Sequence, residues 1–189
     1  MSSIKNLKNK AAELFHENLI TVQDWPKEGV EFLDMLKTVT YQPLVNQAVI
    51  ECFVDYYKNK KIDAIAGVEA RGLIFGAQLS YAMKLPFIPV RKPGKLPPPV
   101  ISIEYDLEYG SDVLEVEVST IKQGMEVLLF DDVIATGGTA IAAYNLLTQA
   151  GASLNNFAFI VEISELPWRE KIPSGVEVFT VTKFPRDKI

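Results

Sequence analysis

Two adjacent carboxylates and a loop of glycines and threonines lie together in the second half of the chain. Residues 125–130 (MEVLLF) are almost wholly apolar, Asp131 and Asp132 follow them, and the segment 135–139 (ATGGT) precedes a stretch with helical spacing. Glycines let successive backbone N–H groups converge, threonine hydroxyls add donors, and a helix N-terminus adds partial positive charge. The sequence therefore predicts a phosphate site beside two acids. The alternative interpretation is a simple turn whose acids complement the helix dipole.

Two further segments carry groups suited to a polyanion. Residues 67–72 (GVEARG) follow a short apolar run, and a plain helix entry with an exposed arginine is the alternative there. Residues 91–95 (RKPGK) hold three cations and begin a proline-rich tract that extends to residue 112. A solvated charge run is the alternative for that tract, but long loops in compact domains are often lids.

The elements that must position these groups alternate between strand and helix. Apolar runs, period-2 alternation and helical spacing identify them. Helices are predicted at about 2–18, 42–60, 72–84 and 139–150. Strands are predicted at 61–68, 86–90, 113–118, 125–130, 157–163 and 176–181, with 113–118 in an antiparallel hairpin flap. This pattern predicts an α/β fold with a doubly wound, mainly parallel sheet flanked by helices, in which ligands bind beyond the carboxyl ends of the strands.

Composition narrows the function classes. The chain has 189 residues, which favours a single domain, and its net charge of -5 speaks against an extended nucleic-acid surface. One cysteine, Cys52, and one histidine, His16, exclude an intramolecular disulfide, a multi-cysteine zinc site and a multi-histidine metal site. No Gly-x-x-x-x-Gly-Lys-Ser/Thr loop or Gly-x-Gly-x-x-Gly fingerprint occurs. We expect a cytoplasmic protein without a membrane span.

The acid and loop segment resembles a known signature. VLLFDDVIATGGTA is similar to the phosphoribosyl pyrophosphate (PRPP) motif of type I phosphoribosyltransferases. The resemblance implies that fold, and it implies that Asp131 and Asp132 hold the ribose hydroxyls, directly or through Mg²⁺. It assigns the 5′-phosphate to Ala135, Thr136, Gly137, Gly138 and Thr139.

The other two segments resemble parts of the adenine phosphoribosyltransferases. GVEARG followed by LIFGA is similar to their pyrophosphate loop, which implies pyrophosphate contacts from Glu69, Ala70 and Arg71 and a cis peptide between Glu69 and Ala70. RKPGKLP with LEYG is similar to their flexible catalytic loop. That resemblance implies that pyrophosphate is neutralised by Arg91, Lys92 and Lys95, with Arg91 able to reach a neighbouring subunit's site. Arg71 and Lys92 would act in catalysis, as would Glu108, the acid or base near the purine. The lid would close with Tyr105 and Tyr109.

Residues 25–34 (WPKEGVEFLD) resemble the base-binding segment of the same family. The resemblance implies that Phe32 stacks on adenine and that Glu31 and Leu33 present backbone groups to the edge of the base. Glu28 and Leu33 depart from the usual proline and basic residue of this segment. Core packing is the alternative interpretation of Phe32. With the N-terminal helix, this segment would form a hood over about residues 1–40.

The implied reaction joins adenine to PRPP and gives AMP and pyrophosphate, with Mg²⁺ accompanying PRPP. This is a purine salvage reaction, and the resemblance also implies a homodimer. One alternative is a phosphoribosyltransferase for another base, such as hypoxanthine, guanine, xanthine or orotate. The other is a regulator that senses PRPP or purines without catalysis. The intact lid cations and the lack of a basic helix-turn-helix segment speak against a regulator.

Overall fold

A computed structural model of the chain describes residues 2–25, 27–29, 31–106 and 110–185. The helices are α1 (Ser2–Glu17), α2 (Met35–Thr40), α3 (Pro43–Tyr57), α4 (Arg71–Met83) and α5 (Gly138–Gln149). The strands are β1 (Thr21–Gln23), β2 (Glu31–Leu33), β3 (Ala64–Val68), β4 (Phe87–Val90), β5 (Val100–Asp106), β6 (Ser111–Glu117), β7 (Glu126–Ile134), β8 (Ser153–Ile163) and β9 (Glu177–Phe184). Two short 3-10 turns span Val118–Thr120 and Pro167–Glu170.

Five parallel strands form the central sheet, in the order β4-β3-β7-β8-β9. Helices α1, α3 and α4 cover one face, while α5 and the β5–β6 hairpin cover the other. Every residue of β3 is buried, as a strand covered on both faces requires. This arrangement confirms the predicted doubly wound α/β fold. Because β3 and β7 are neighbours and parallel, the loops that follow them meet at one edge of the sheet.

The tract predicted as a loop between residues 91 and 112 contains a strand. β5 pairs with β6 in an antiparallel hairpin, which confirms the predicted flap but corrects the extent of the loop. Side chains in β5 alternate between half-buried and exposed positions because only one face of this ribbon packs on the protein. The hairpin lies beside α5 through buried Leu114 and Val116.

Structure between residues 19 and 40 was also more extensive than the sequence predicted. β1 and β2 pair antiparallel, and α2 follows them. The Asp34 side chain accepts a hydrogen bond from the Lys37 backbone N–H and so caps α2. This small hairpin and helix lie within residues 1–40, the range for which a hood is expected. Within the part of the chain that the structure describes, no helix has the length and apolar character needed to cross a membrane.

Candidate active site

The carboxyl ends of β3 and β7 border a cleft of about 400 Å³. Gly67 of β3 is in register with Phe130 of β7, so the loops that follow approach each other closely. The closeness shows at Gly72, where an added Cβ would lie 2.7 Å from Asp131 Oδ1. The predicted site residues that line this cleft are Glu69, Ala70, Arg71, Lys92, Tyr105, Asp131, Asp132, Ala135 and Thr139.

The phosphate-loop segment forms a smaller pocket of about 110 Å³ beside the cleft, lined by residues 133–140 among others. Gly137 has φ +80°, a conformation that glycine adopts without steric cost, and it precedes the first residue of α5. The N–H groups in the first turn of a helix lack intrahelical acceptors. Thr136, Gly137, Gly138 and Thr139 therefore surround a pocket that has backbone donors and two hydroxyls available for an anion.

The two acids lie within β7 and not after it, which corrects the predicted end of this strand. β7 continues to Ile134, because β-branched Val133 and Ile134 extend it. Asp131 Oδ1 accepts a hydrogen bond from the Asp132 backbone N–H at 2.8 Å. Burial and then the neighbouring Asp132 raise the pKa of Asp131 well above its usual value.

Arg71 links the β3 loop to the acid pair. Its Nε lies 2.7 Å from Asp132 Oδ2, which is an ion-pair distance. The same oxygen is buried and has no hydrogen bond of good geometry among the described residues. Burial raises the pKa of Asp132, and Arg71 opposes that shift. Asp132 Oδ2 is therefore a buried acceptor that a ligand could still satisfy.

Two of the three remaining predicted cations, Arg91 and Lys92, are paired with acids. Arg91 donates two hydrogen bonds of 3.1 Å to the Glu69 carboxylate, which also accepts from the Lys92 backbone N–H at 2.7 Å. The Arg91 hydrogen bonds lower the pKa of Glu69. The Lys92 ammonium pairs with Asp112 at the start of β6. Lys95 is exposed and does not line the cleft. The Glu69–Ala70 peptide is cis, which confirms that expectation.

The hood holds the predicted base-binding residues on β2, where Glu31 is exposed, Phe32 is half-buried and Leu33 is buried. The Trp25 ring lies edge-on to Phe32, with 4.3 Å between the ring centroids. None of the three β2 residues lines the cleft as described. Glu108 and Tyr109 lie outside the described residues.

Sequence reasoning missed two residues that line the cleft. Val133 follows the acid pair and presents an apolar surface to both the cleft and the phosphate pocket. Its β-branched side chain next to Ile134 was the available signal that the strand continued. Asp112 faces Lys92 and also accepts a hydrogen bond from the Tyr105 hydroxyl at 3.4 Å. No local pattern points to this carboxylate, because the hairpin alone brings it to the cleft.

Comparison with known proteins identifies one family for this chain. Residues 35–172 match the family described as Phosphoribosyl transferase domain. Adenine phosphoribosyltransferase of Clostridium perfringens is 41% identical over 168 residues, covering 89% of this chain and 96% of the relative. That of Thermosynechococcus vestitus is 49% identical over 152 residues, covering 80% and 89%.

Solved structures agree with the sequence comparison. The crystal structure of adenine phosphoribosyltransferase from Rhodothermus marinus has a TM-score of 0.84 at 37% identity, covering 93% of this chain and 99% of that one. The Saccharomyces cerevisiae enzyme, complexed with an imino-altritol bisphosphate and adenine, has a TM-score of 0.83 at 37% identity, covering 92% and 99%. The relatives found by sequence and the solved structures are thus all adenine phosphoribosyltransferases, and the solved structures share the fold of this chain.

Proposed function

The chain belongs to the adenine phosphoribosyltransferase family, and we propose that it transfers the 5-phosphoribosyl group of PRPP to adenine. The observation that carries this proposal is the meeting of three groups in one cleft. The acid pair, the phosphate loop and Arg71 all lie where the carboxyl ends of β3 and β7 converge. A ribose with a phosphate at one end and a pyrophosphate at the other has the charges that match this arrangement.

The reaction forms a bond from adenine N9 to C1′ of the ribose and breaks the bond from C1′ to the pyrophosphate oxygen. Pyrophosphate leaves with the electron pair, and adenine loses its N9 proton. The ring gains positive charge in the transition state, so the adjacent carboxylates Asp131 and Asp132 suit its stabilisation. Arg71 and Lys92 would neutralise the leaving group, with Arg91 and Lys95 at the lid. Binding both substrates in line contributes by positioning.

Mg²⁺ fits this site as a partner of PRPP. Among the described residues, no group of three or more His, Cys, Asp or Glu side chains could hold a metal without a ligand. Mg²⁺ is commonly held by substrate phosphates, waters and one or two carboxylates. The buried Asp132 Oδ2, which lacks a well-oriented donor, and the neighbouring Asp131 are suitable carboxylates. When bound, Mg²⁺ would offset charge on the departing pyrophosphate.

The base would lie between the hood and the cleft. We propose that Phe32, supported by Trp25, stacks on adenine, and that the backbone of Glu31 and Leu33 meets its edge. The apolar surface of Val133 suits the opposite face of the base. We keep Glu108 as the acid or base near the purine, and Tyr105 and Tyr109 as lid residues. Of these three, the structure describes Tyr105, which lines the cleft.

We propose that the whole chain acts as one domain and pairs with a second copy. Support comes from a groove of about 560 Å³ between α3 and α4, lined mainly by apolar surface such as Ile50 and Ala82. Tyr81 beside it is 87% exposed, and Tyr41 and Leu44 are also exposed. Large exposed apolar patches mark interfaces. Light scattering, which measures the mass of the assembly in solution, tests this pairing.

We place the reaction in the cytoplasm. The support is the single cysteine, Cys52, which is buried in the core between α1 and α3. Burial raises the pKa of its thiol to about 11, which leaves it unreactive at neutral pH. A buried, protonated thiol is compatible with a reducing compartment.

The test is incubation with PRPP, Mg²⁺ and each purine base in turn, followed by chromatography of the nucleotides. We expect AMP from adenine. Asp131→Asn and Asp132→Asn should severely impair PRPP use, and Glu108→Gln should mainly lower turnover. Glu13→Gln, an exposed carboxylate on α1, is the matched control and should retain full activity. Nucleotide from another base but none from adenine would contradict the proposal.

A further inference from the structure

Trp168 packs directly behind the phosphate loop. It lies in the short turn Pro167–Glu170 and is only 1% exposed. A Cβ added to Gly137 would lie 3.2 Å from Trp168 Cβ and 3.6 Å from both its Cα and its carbonyl oxygen. Gly137 is the residue with φ +80° at the start of α5. The Trp168 backbone and Cβ therefore form the wall against which the glycine of the loop rests.

The turn that carries Trp168 is itself fixed to the sheet. The Arg169 guanidinium lies 4.2 Å from the centroid of the Trp168 ring, a cation–π distance. Its Nη2 donates to Glu162 Oε2 at 2.9 Å. The Glu162 side chain is 6% exposed and also accepts from Thr180 Oγ1 and Lys183 Nζ, both at 3.3 Å. A buried carboxylate held by several donors is a rigid anchor.

The anchor lies beside the strand that feeds the phosphate loop. Glu162 of β8 is in register with Ile134, the last residue of β7. One path of contacts thus runs from the end of β7 across to Glu162, through Arg169 to Trp168, and back to Gly137. The phosphate loop is therefore fixed to the sheet at two points. At its start it continues covalently from β7, and at its middle Gly137 packs against Trp168.

We propose that Trp168, held by Arg169 and Glu162, is a positioning residue for the 5′-phosphate of PRPP. Convergent loop N–H groups bind an anion well only when the loop stays in one conformation, and small displacements at a reacting site cost large factors in rate. A glycine with positive φ has many alternatives and needs an outside constraint. This inference rests on the proposed function, since it concerns the phosphate half of that ligand.

A role limited to general stability predicts a different outcome. Lost stability alone would weaken all ligands alike or none, whereas a displaced phosphate loop weakens only the ligands that carry the 5′-phosphate. Ribose 5-phosphate probes this loop, and pyrophosphate with Mg²⁺ probes the cations on the other side of the cleft. The ratio of the two dissociation constants therefore separates positioning from stability.

The experiment is calorimetric titration of both probes into the parent chain, Arg169→Met and Trp168→Phe. Arg169→Met keeps an unbranched aliphatic side chain and removes both the cation over the indole and the hydrogen bond to Glu162. The matched control is Tyr57→Phe, which removes a buried 2.9 Å hydrogen bond to the Phe157 carbonyl in the middle of β8. Thermal melts show whether each variant folds. If Trp168→Phe does not fold, Arg169→Met alone still tests the inference.

We expect ribose 5-phosphate to bind about tenfold more weakly to Arg169→Met, equivalent to one misaligned hydrogen bond. It should also bind more weakly, but by a smaller factor, to Trp168→Phe, which keeps the Cβ and backbone against Gly137 and reduces the ring on which Arg169 lies. Pyrophosphate should bind with unchanged affinity, and Tyr57→Phe should bind both probes like the parent. In steady-state assays KM for PRPP should rise more than kcat falls. Unchanged ribose 5-phosphate affinity in folded Arg169→Met, or equal weakening of both probes, would overturn the inference alone. A parent chain that does not bind ribose 5-phosphate would overturn the proposed function and this inference together.

Discussion

Gly72 lies where the first turn of α4 crosses β7, and we predict that Gly72→Ala weakens both the fold and the activity. The added Cβ would lie 2.7 Å from Asp131 Oδ1, 3.1 Å from the Phe130 carbonyl oxygen and 3.2 Å from Asp131 Cα. Two of these three atoms belong to the backbone of β7, which pairs with β3 on one side and β8 on the other. The strand cannot yield, so α4 must move outward and take Arg71 with it.

Opposing contributions decide the sign of the stability change. Alanine in a helix gains about 0.5–1 kcal/mol over glycine, whereas overpacking a tight contact costs about 1–3 kcal/mol. The expected net loss is roughly 1–2 kcal/mol. For a chain of this size, that lowers Tm by about 2–8 °C. Because Arg71 and Asp131 face one cleft, we also expect kcat/KM to fall by at least about tenfold.

Thermal unfolding and steady-state assays with PRPP measure the two effects. Gly138→Ala is the matched control for stability, because it is also a first-turn helix glycine but its added Cβ would meet no atom closer than 3.6 Å. We expect its Tm to equal or exceed that of the parent. A Gly72→Ala chain that melts at or above the parent temperature would refute the reasoning from the contact between α4 and β7.

Two further predictions concern the charges of the cleft. Burial and Asp132 raise the pKa of Asp131 in the folded chain. Between the ordinary carboxyl pKa and this raised value, the unfolded chain has released the proton while the folded chain still holds it. The free energy of unfolding therefore falls as pH rises through this window. Asp131→Asn should remove that fall, which urea melts of variant and parent from about pH 4 to about pH 8 would measure. Free energies of unfolding that change with pH equally in the two chains would contradict this prediction. Asp112→Asn frees Lys92 from its ion pair, so pyrophosphate should bind about two- to fivefold more tightly by calorimetry. Glu104→Gln on the same hairpin is the control, and unchanged or weaker binding to Asp112→Asn would speak against a competing role of the carboxylate.

The central sheet could be predicted because its strands are buried on both faces. Continuous apolar runs such as 64–68 and 127–130 are a local signal that needs no knowledge of the partner strands. The hood strands β1 and β2 have three residues each, too few to show a period. Strand β5 begins directly after three prolines, which are typical of loops, and its pairing with β6 depends on the rest of the fold.

The candidate site likewise has one part that the sequence predicts and another part that it does not. The acid pair and the phosphate loop are contiguous in sequence, so their chemistry is visible there. Arg71 could be placed near them because loops after neighbouring parallel strands share an edge. Contacts such as Lys92 with Asp112, or Trp168 with Gly137, join residues that no local pattern connects. Only the path of the chain brings them together.

The pairing of cations with acids explains how an acidic chain can bind a polyanion. Arg71 contacts Asp132, Arg91 contacts Glu69, and Lys92 contacts Asp112, so the positive charges around the cleft are balanced before a ligand arrives. An extended nucleic acid needs unpaired cations over a broad surface, whereas Arg71, Arg91 and Lys92 at this edge of the sheet are already paired with acids. A small polyphosphate with Mg²⁺ needs only to replace these acids as the partner of the cations inside one cleft. A net charge of -5 is therefore compatible with binding a small, densely charged anion in this cleft.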